Sequence, residues 1–226
     1  LADLAAKVLR PASPEALLDD PLRAYRAARF LCELPDFTPH AELLAAMRAL
    51  APEQLGQAYA ERVGQETLKA CASDRPGDFV RLLDATGCLT PWLGELVGAS
   101  DIPGGPPKYH DSSVLEHTAR IMDRVAAMPT GDALSVWMAL CHDLGKVTTP
   151  RDMLPRHIGH DERGQSLAEV LGLRLRLPAR FMQCGGLAAR WHMLVGRYAE
   201  MRPATRVELH LLIQAQQLAW PCRSGL

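Results

Sequence analysis

Aromatic side chains are scarce, 5% of 226 residues, while Ala, Leu and Arg are abundant, a balance that favours helices over sheets. No stretch alternates apolar and polar residues well enough to mark a half-buried strand. No apolar run approaches the ~20 residues of a membrane span, and no segment reads as a secretory signal. The formal net charge is -1, which excludes a global pull toward nucleic acid or membrane and leaves only local basic surface. The six cysteines, Cys32, Cys71, Cys88, Cys141, Cys184 and Cys222, include no Cys-x-x-Cys pair. A chain of this length needs no disulfide stapling, so they are expected to be reduced, mostly buried thiols of a cytoplasmic protein. The apolar fraction of 48% supports a substantial core in one large or two small domains.

What is present is helical periodicity almost throughout. Asp20-Pro21 sets an N-cap and a first-position proline before a helix reaching about residue 34. Thr38-Pro39 is expected to begin a second helix to about residue 50, and Pro52 a third. Further helices are expected over 61–71 and around 79–83. Residues 101–111 are the clearest break, rich in Pro and Gly, and divide 1–100 from 101–226. Beyond the break, Ser112 is expected to cap a helix carrying His117. A helix over 132–144 should stop at Gly145, with others near 161–175, 178–194 and 203–219. The expected fold class is all-α: a region of short helices followed by a helical bundle.

The segment Leu140-Cys141-His142-Asp143-Leu144-Gly145-Lys146 places a histidine and an aspartate side by side at the end of an apolar run. Adjacent residues inside a helix point roughly 100° apart, but at the last turn both can lean over the helix end. There they could share one cation with His117 from a neighbouring antiparallel helix. Imidazole with carboxylate suits Mg, Mn, Ni or Fe, and water on such an ion attacks phosphoryl centres. Lys146, just past the helix, would neutralise phosphate charge. His192 lies on a later helix expected to pack nearby and is a further candidate ligand. His157 and His160 read as loop histidines, the latter placed to aid the phosphate; His40, His110 and His210 are given no role. The bland alternative is a set of capping histidines around a buried, hydrogen-bonded aspartate. Arg23, Arg26 and Arg29 form a basic stripe which, from the residues alone, reads as a solvated face paired with Asp19, Asp20 or Glu33.

His117 with His142-Asp143-Leu144-Gly145-Lys146 resembles the HD phosphohydrolase superfamily. Thr148-Thr149-Pro150 and Gly159-His160-Asp161-Glu162-Arg163-Gly164 narrow the resemblance to the HD domain of bacterial tRNA nucleotidyltransferases, the multifunctional CCA-adding enzymes. Leu18-Asp19-Asp20-Pro21-Leu22-Arg23 is similar to that family's neck motif. Glu61-Arg62 with Glu66, and Arg202-Pro203-Ala204-Thr205, resemble two more of its segments, so the likeness covers nearly the whole chain. It implies a neck and body over 1–100, in which Asp20 and Arg23 read the base of CTP or ATP and Arg26 lies near the nucleotide. It implies an HD domain over 101–226 with a divalent metal (Mg, Ni or Mn) held by His117, His142, Asp143 and His192. Asp143, Lys146 and His160 would then carry hydrolysis of 2′,3′-cyclic phosphates, 2′-nucleotides or monoesters, with tRNA as the partner.

The sequence also departs from that pattern. It has no Asp-x-Asp or Asp-x-Glu pair, and two-metal nucleotidyl transfer needs such carboxylates. The chain is not expected to add nucleotides by itself; beginning at Leu1, it is expected to be excised from a longer protein or truncated in its gene. Asp19 stands where the family has glutamate, and Gly196 where a second histidine often follows the one at His192. Gln216-Gln217-Leu218-Ala219-Trp220 holds no acid where a late metal-binding aspartate is usual. Two functional readings follow. One is a metal-dependent HD phosphohydrolase; the other is a tRNA- and nucleotide-binding module with an inactive HD site, serving a catalytic head encoded elsewhere.

Overall fold

A computed structural model of the protein describes residues 2–108 and 111–219, with side chains described to residue 211. The expected all-α class holds: nine helices of eight or more residues carry the described fold, beside one two-stranded ribbon. In the first half these are α1 (Leu22–Glu33), α2 (Ala41–Arg48), α3 (Ala60–Cys71) and α4 (Gly77–Ala85). In the second half they are α5 (Val114–Ala126), α6 (Ala133–Cys141), α7 (His160–Arg174), α8 (Ala179–Val195) and α9 (Pro203–Ala219).

Helix α1 starts one residue later than its sequence suggests, with Pro21 at the N-cap and the Asp20 Oδ1 accepting from the Leu22 N–H at 3.2 Å. Its buried face, Leu22, Tyr25, Ala28 and Cys32, packs against α3 and α4. The expected helix start at Thr38-Pro39 is corrected. Those residues form β2 (Thr38–Pro39), which pairs in parallel with β1 (Val8–Leu9). Their extended backbone is committed by Thr38 N–H to Lys7 O and His40 N–H to Leu9 O, both 2.9 Å. His40, given no role from sequence, caps α2 by accepting from the Glu42 N–H on Nδ1.

The cap of α5 also moves by one residue, to Ser113, whose Oγ accepts from the Glu116 N–H at 3.2 Å. The Ser112 carbonyl is already engaged by the Gly104 N–H at 2.9 Å, in the bridge that folds the 101–113 loop back on itself. Helix α6 is capped by Asp132 and buries Val136, Trp137, Leu140 and Cys141. It packs against α3, α5 and α8, which accounts for its apolar composition on all sides. It ends at Cys141, short of the expected residue 144, and the chain tightens into a 3-10 turn over Leu144–Lys146. Close packing demands this: a Cβ on Gly145 would lie 1.8 Å from the His160 carbonyl.

One buried cluster runs from Ala16 to Ala189, without interruption at the 101–113 loop. Arg81 of α4 reaches Glu116 and Asp123 of α5, each at 2.9 Å. Arg174 of α7 grips Glu95 through two contacts, at 2.5 and 2.7 Å. Cys32, Cys71, Cys88 and Cys141 are buried and free, as their types suggested, and burial pushes the Cys71 thiol up to about 12. Cys222 lies outside the described residues. No described helix is long and apolar enough to cross a membrane.

Helix α3 approaches the end of α7 so closely that a Cβ on Gly64 would lie 2.1 Å from the Leu175 carbonyl. Backbone cannot yield as a flexible side chain does, so Gly64→Ala is expected to destabilise the protein by about 2 kcal/mol. A denaturant midpoint equal to that of the parent protein would contradict this account of the contact.

Candidate metal centre

The end of α6 and the first residue of α7 face each other beneath α5 and α8, and five side chains converge there. His117 comes from α5, His142 and Asp143 from the end of α6, His160 from the start of α7 and His192 from α8. Asp143 is 1% exposed and stands at the middle. Its Oδ2 lies 3.0 Å from the His142 Nε2, 3.5 Å from the His117 Nε2 and 2.8 Å from the Lys146 Nζ. Its Oδ1 faces the His192 Nε2 at 3.4 Å and the His160 Nε2 at 3.6 Å, yet has no hydrogen-bond partner among the described residues.

The backbone fixes which ring nitrogen faces inward. His142, His160 and His192 each point Nδ1 at the carbonyl three residues earlier, Ala139, His157 and Ala189, at 2.6, 2.6 and 3.1 Å. A carbonyl only accepts, so each Nδ1 carries the proton and each neutral ring turns a bare Nε2 inward. The inward nitrogens then meet in pairs: His142 with His117 at 3.4 Å, and His160 with His192 at 3.2 Å. At His160 and His192 both nitrogens are bare, and two lone pairs at that distance repel unless a proton or a cation lies between them. The donors form two groups, His117/His142/Asp143 and His160/His192/Asp143, with ligand atoms in each group within 4.8 Å of one another.

The spacing fits a small divalent ion. A ligand radius of roughly 2.1 Å gives octahedral and tetrahedral shells with edges of roughly 3.0 and 3.4 Å. The contacts from Asp143 to the four imidazoles run from 3.0 to 3.6 Å. Imidazole and carboxylate donors without a thiolate suit magnesium, manganese or nickel.

Charge at the centre follows its neighbours. Burial alone would raise the Asp143 carboxyl, but His142, His192 and Lys146 overcome it and hold the group well below the carboxylate range. The stability this contributes is present above about pH 4 and is lost as pH falls through the depressed value. Burial would lower the His142 imidazole, but the adjoining Asp143 charge and the Ala139 carbonyl outweigh it and raise the group above 6.5. For His160 burial prevails and the value drops.

Two sequence expectations need revision. His157 and His160 are both buried, and His160 belongs to a helix rather than to the loop that holds His157. His157 is 9% exposed, bonded to the Thr149 hydroxyl at 2.9 Å and to the Pro103 carbonyl at 2.8 Å. His160 opens α7 and is 8% exposed. Lys146, expected to meet phosphate, is 6% exposed and donates to Asp143 and, at 2.8 Å, to the Gly104 carbonyl. Its ammonium thus balances Asp143 and ties down the 101–113 loop. His110 and Trp220 lie outside the described residues, as do the side chains of 212–219, where a late acidic ligand was sought.

The nucleotide-template candidates sit far along the chain, in the first half. Arg23 and Arg26 line a cleft of roughly 290 Å³ with Leu9, Phe30 and Leu43. Arg23 donates to the Ala16 carbonyl at 2.9 Å, while Asp20 accepts from the Leu22 N–H at 3.2 Å. Arg29 is no part of a solvated stripe: 8% exposed, it donates to Glu66 at 2.5 Å and to Glu33. Glu66, in the middle of α3 at 7% exposure, was the available signal that a buried cation lay opposite.

Histidine titration followed by NMR in chelator-treated protein should find His142 above 6.5 and His160 below it. In Asp143→Asn, burial should prevail at His142 and carry it below 6.5. An unchanged His142 titration in that variant would contradict the assigned electrostatics.

A family model described as "Probable RNA and SrmB- binding site of polymerase A" matches residues 36–98. A protein of Stenotrophomonas maltophilia (strain K279a) named "Multifunctional CCA protein" is 38% identical over 210 residues, 92% of this chain and 52% of that protein. Proteins of the same name from Xanthomonas euvesicatoria pv. vesicatoria (strain 85-10) and Dechloromonas aromatica (strain RCB) are each 37% identical over 92% of the chain. They are covered over 51% and 50% of their own length. The chain is a homologue of the multifunctional CCA proteins and spans about half the length of the curated relatives it matches.

Proposed function

We propose that the chain is the RNA-binding and phosphohydrolase portion of a CCA-type tRNA-processing protein of the cytoplasm. The observation that carries the hydrolase half is the convergence of four inward imidazole nitrogens on one buried carboxylate. His117 and His142 with the Asp143 Oδ2, and His160 and His192 with its Oδ1, would hold nickel, manganese or magnesium. Such an ion, when bound, lowers the pKa of water and polarises a phosphoryl oxygen.

The chain's own residues prepare that chemistry. The carbonyls of Ala139, His157 and Ala189 fix the imidazole tautomers. Lys146 helps to keep Asp143 ionised. The reaction adds water at the phosphorus of a 2′,3′-cyclic phosphate or a monoester. One P–O bond to the ribose breaks, and that ribose oxygen takes the proton released from the water.

The match over residues 36–98 supports tRNA as the partner. With a nucleotidyl-transferring head joined, Asp20, Arg23 and Arg26 would read CTP or ATP. The lack of an acid in Gln216-Gln217-Leu218-Ala219-Trp220, where a late metal-binding aspartate is usual, favours a second reading, in which this chain only binds tRNA and nucleotide with an inactive HD site.

Metal analysis alongside hydrolysis of a 2′,3′-cyclic nucleotide separates the two. Hydrolase function predicts bound divalent metal, reduced by His142→Ala and by His192→Ala, and an activity loss of about 100-fold or more in each variant. Protein that binds tRNA but neither retains metal nor hydrolyses the substrate would leave the binding-module reading.

A further inference from the structure

His117, Arg120 and Arg124 lie on one face of α5, at the spacing that brings residues three, four and seven apart into line. They line a cleft of roughly 420 Å³ with Pro107, Lys108, Asp111 and Ser112. The cleft therefore opens directly from a histidine of the metal centre. Its charge is unbalanced, with Lys108, Arg120 and Arg124 against a single lining carboxylate, Asp111. Arg124 is exposed and makes no hydrogen bond or ion pair among the described residues.

Arg120 can be released at little expense. It contacts Asp111 at 3.1 Å and Glu116 at 2.9 Å, with 85% of the Asp111 side chain in solvent. Exposed pairs of this kind contribute little to stability. Glu116 keeps a hydrogen bond to each of its oxygens without Arg120, because Arg81 donates to both, at 2.9 and 3.2 Å, while also serving Asp78 and Asp123.

We propose that this face of α5 is a track for consecutive phosphates, so that the metal centre acts on a phosphate at the end of an RNA strand. This rests on the phosphohydrolase reading and adds its substrate class. The seven residues from His117 to Arg124 rise roughly 10 Å, a span that a short run of nucleotides covers. The terminal cyclic phosphate sits at His117, and the phosphates preceding it in the strand sit on Arg120 and Arg124. Guanidinium forks match phosphate oxygens in pairs, whereas a mononucleotide has no second phosphate to offer them.

The test compares kcat/KM for a 2′,3′-cyclic mononucleotide with that for an oligoribonucleotide ending in the same cyclic nucleotide, over a range of salt. The oligonucleotide should be preferred by about tenfold or more, through charge-assisted contacts to its extra phosphates. Two such contacts predict a log–log salt slope steeper than that of the mononucleotide by about 1.4, at about 0.7 per contact. Arg124→Ala should remove about 0.7 of that slope and lower the oligonucleotide-to-mononucleotide ratio about fivefold or more, with Arg124→Lys restoring most of it. An oligonucleotide preference that Arg124→Ala leaves intact would overturn the track, as would equal treatment of both substrates. Loss of hydrolysis toward every substrate in the parent protein would instead sink the phosphohydrolase reading itself.

Discussion

The arrangement depends on keeping one carboxylate ionised where water cannot reach it. Moving an isolated carboxylate into a protein interior costs on the order of several kcal/mol, even after relaxation. Asp143 tolerates burial because an ammonium 2.8 Å away balances its charge and four imidazole nitrogens surround it. Its second oxygen still has no hydrogen bond among the described residues. A buried acceptor in that condition asks for a cation, and the inward lone pairs of His160 and His192 ask for the same thing.

The fold serves this requirement through several local choices. Ending α6 at Cys141 frees His142 and Asp143 to lean off the helix end. Gly145 lets the following turn meet the backbone of α7, which brings the His160 ring opposite Asp143. Lys146 and His157 hold the 101–113 loop from below, through the carbonyls of Gly104 and Pro103. The loop thereby frames the cleft that leads from His117. The bridges from Arg81 to α5 and from Arg174 to Glu95 join the two halves of the chain into one packed body.

The sequence made the helices readable because their periodicity is local, and it made His117, His142, Asp143 and His192 suspect because of their places on those helices. It misplaced features that depend on distant partners. The β1–β2 ribbon is only two residues per strand, too short for alternation to show. His160 read as a loop residue because Gly159, at a φ of 70°, starts the helix abruptly beside it. The burial of Lys146 and His157 follows from a loop more than 35 residues upstream folding over them, and no local pattern encodes that contact. Arg29 read as surface because its partner Glu66 lies 37 residues away on another helix.

X-ray absorption of the protein loaded with one equivalent of nickel tests the central claim most directly, because it reports the atoms around the ion. The account predicts at least two imidazole nitrogens together with carboxylate oxygen in the coordination shell, at roughly 2.1 Å. A shell made only of water oxygens would contradict it.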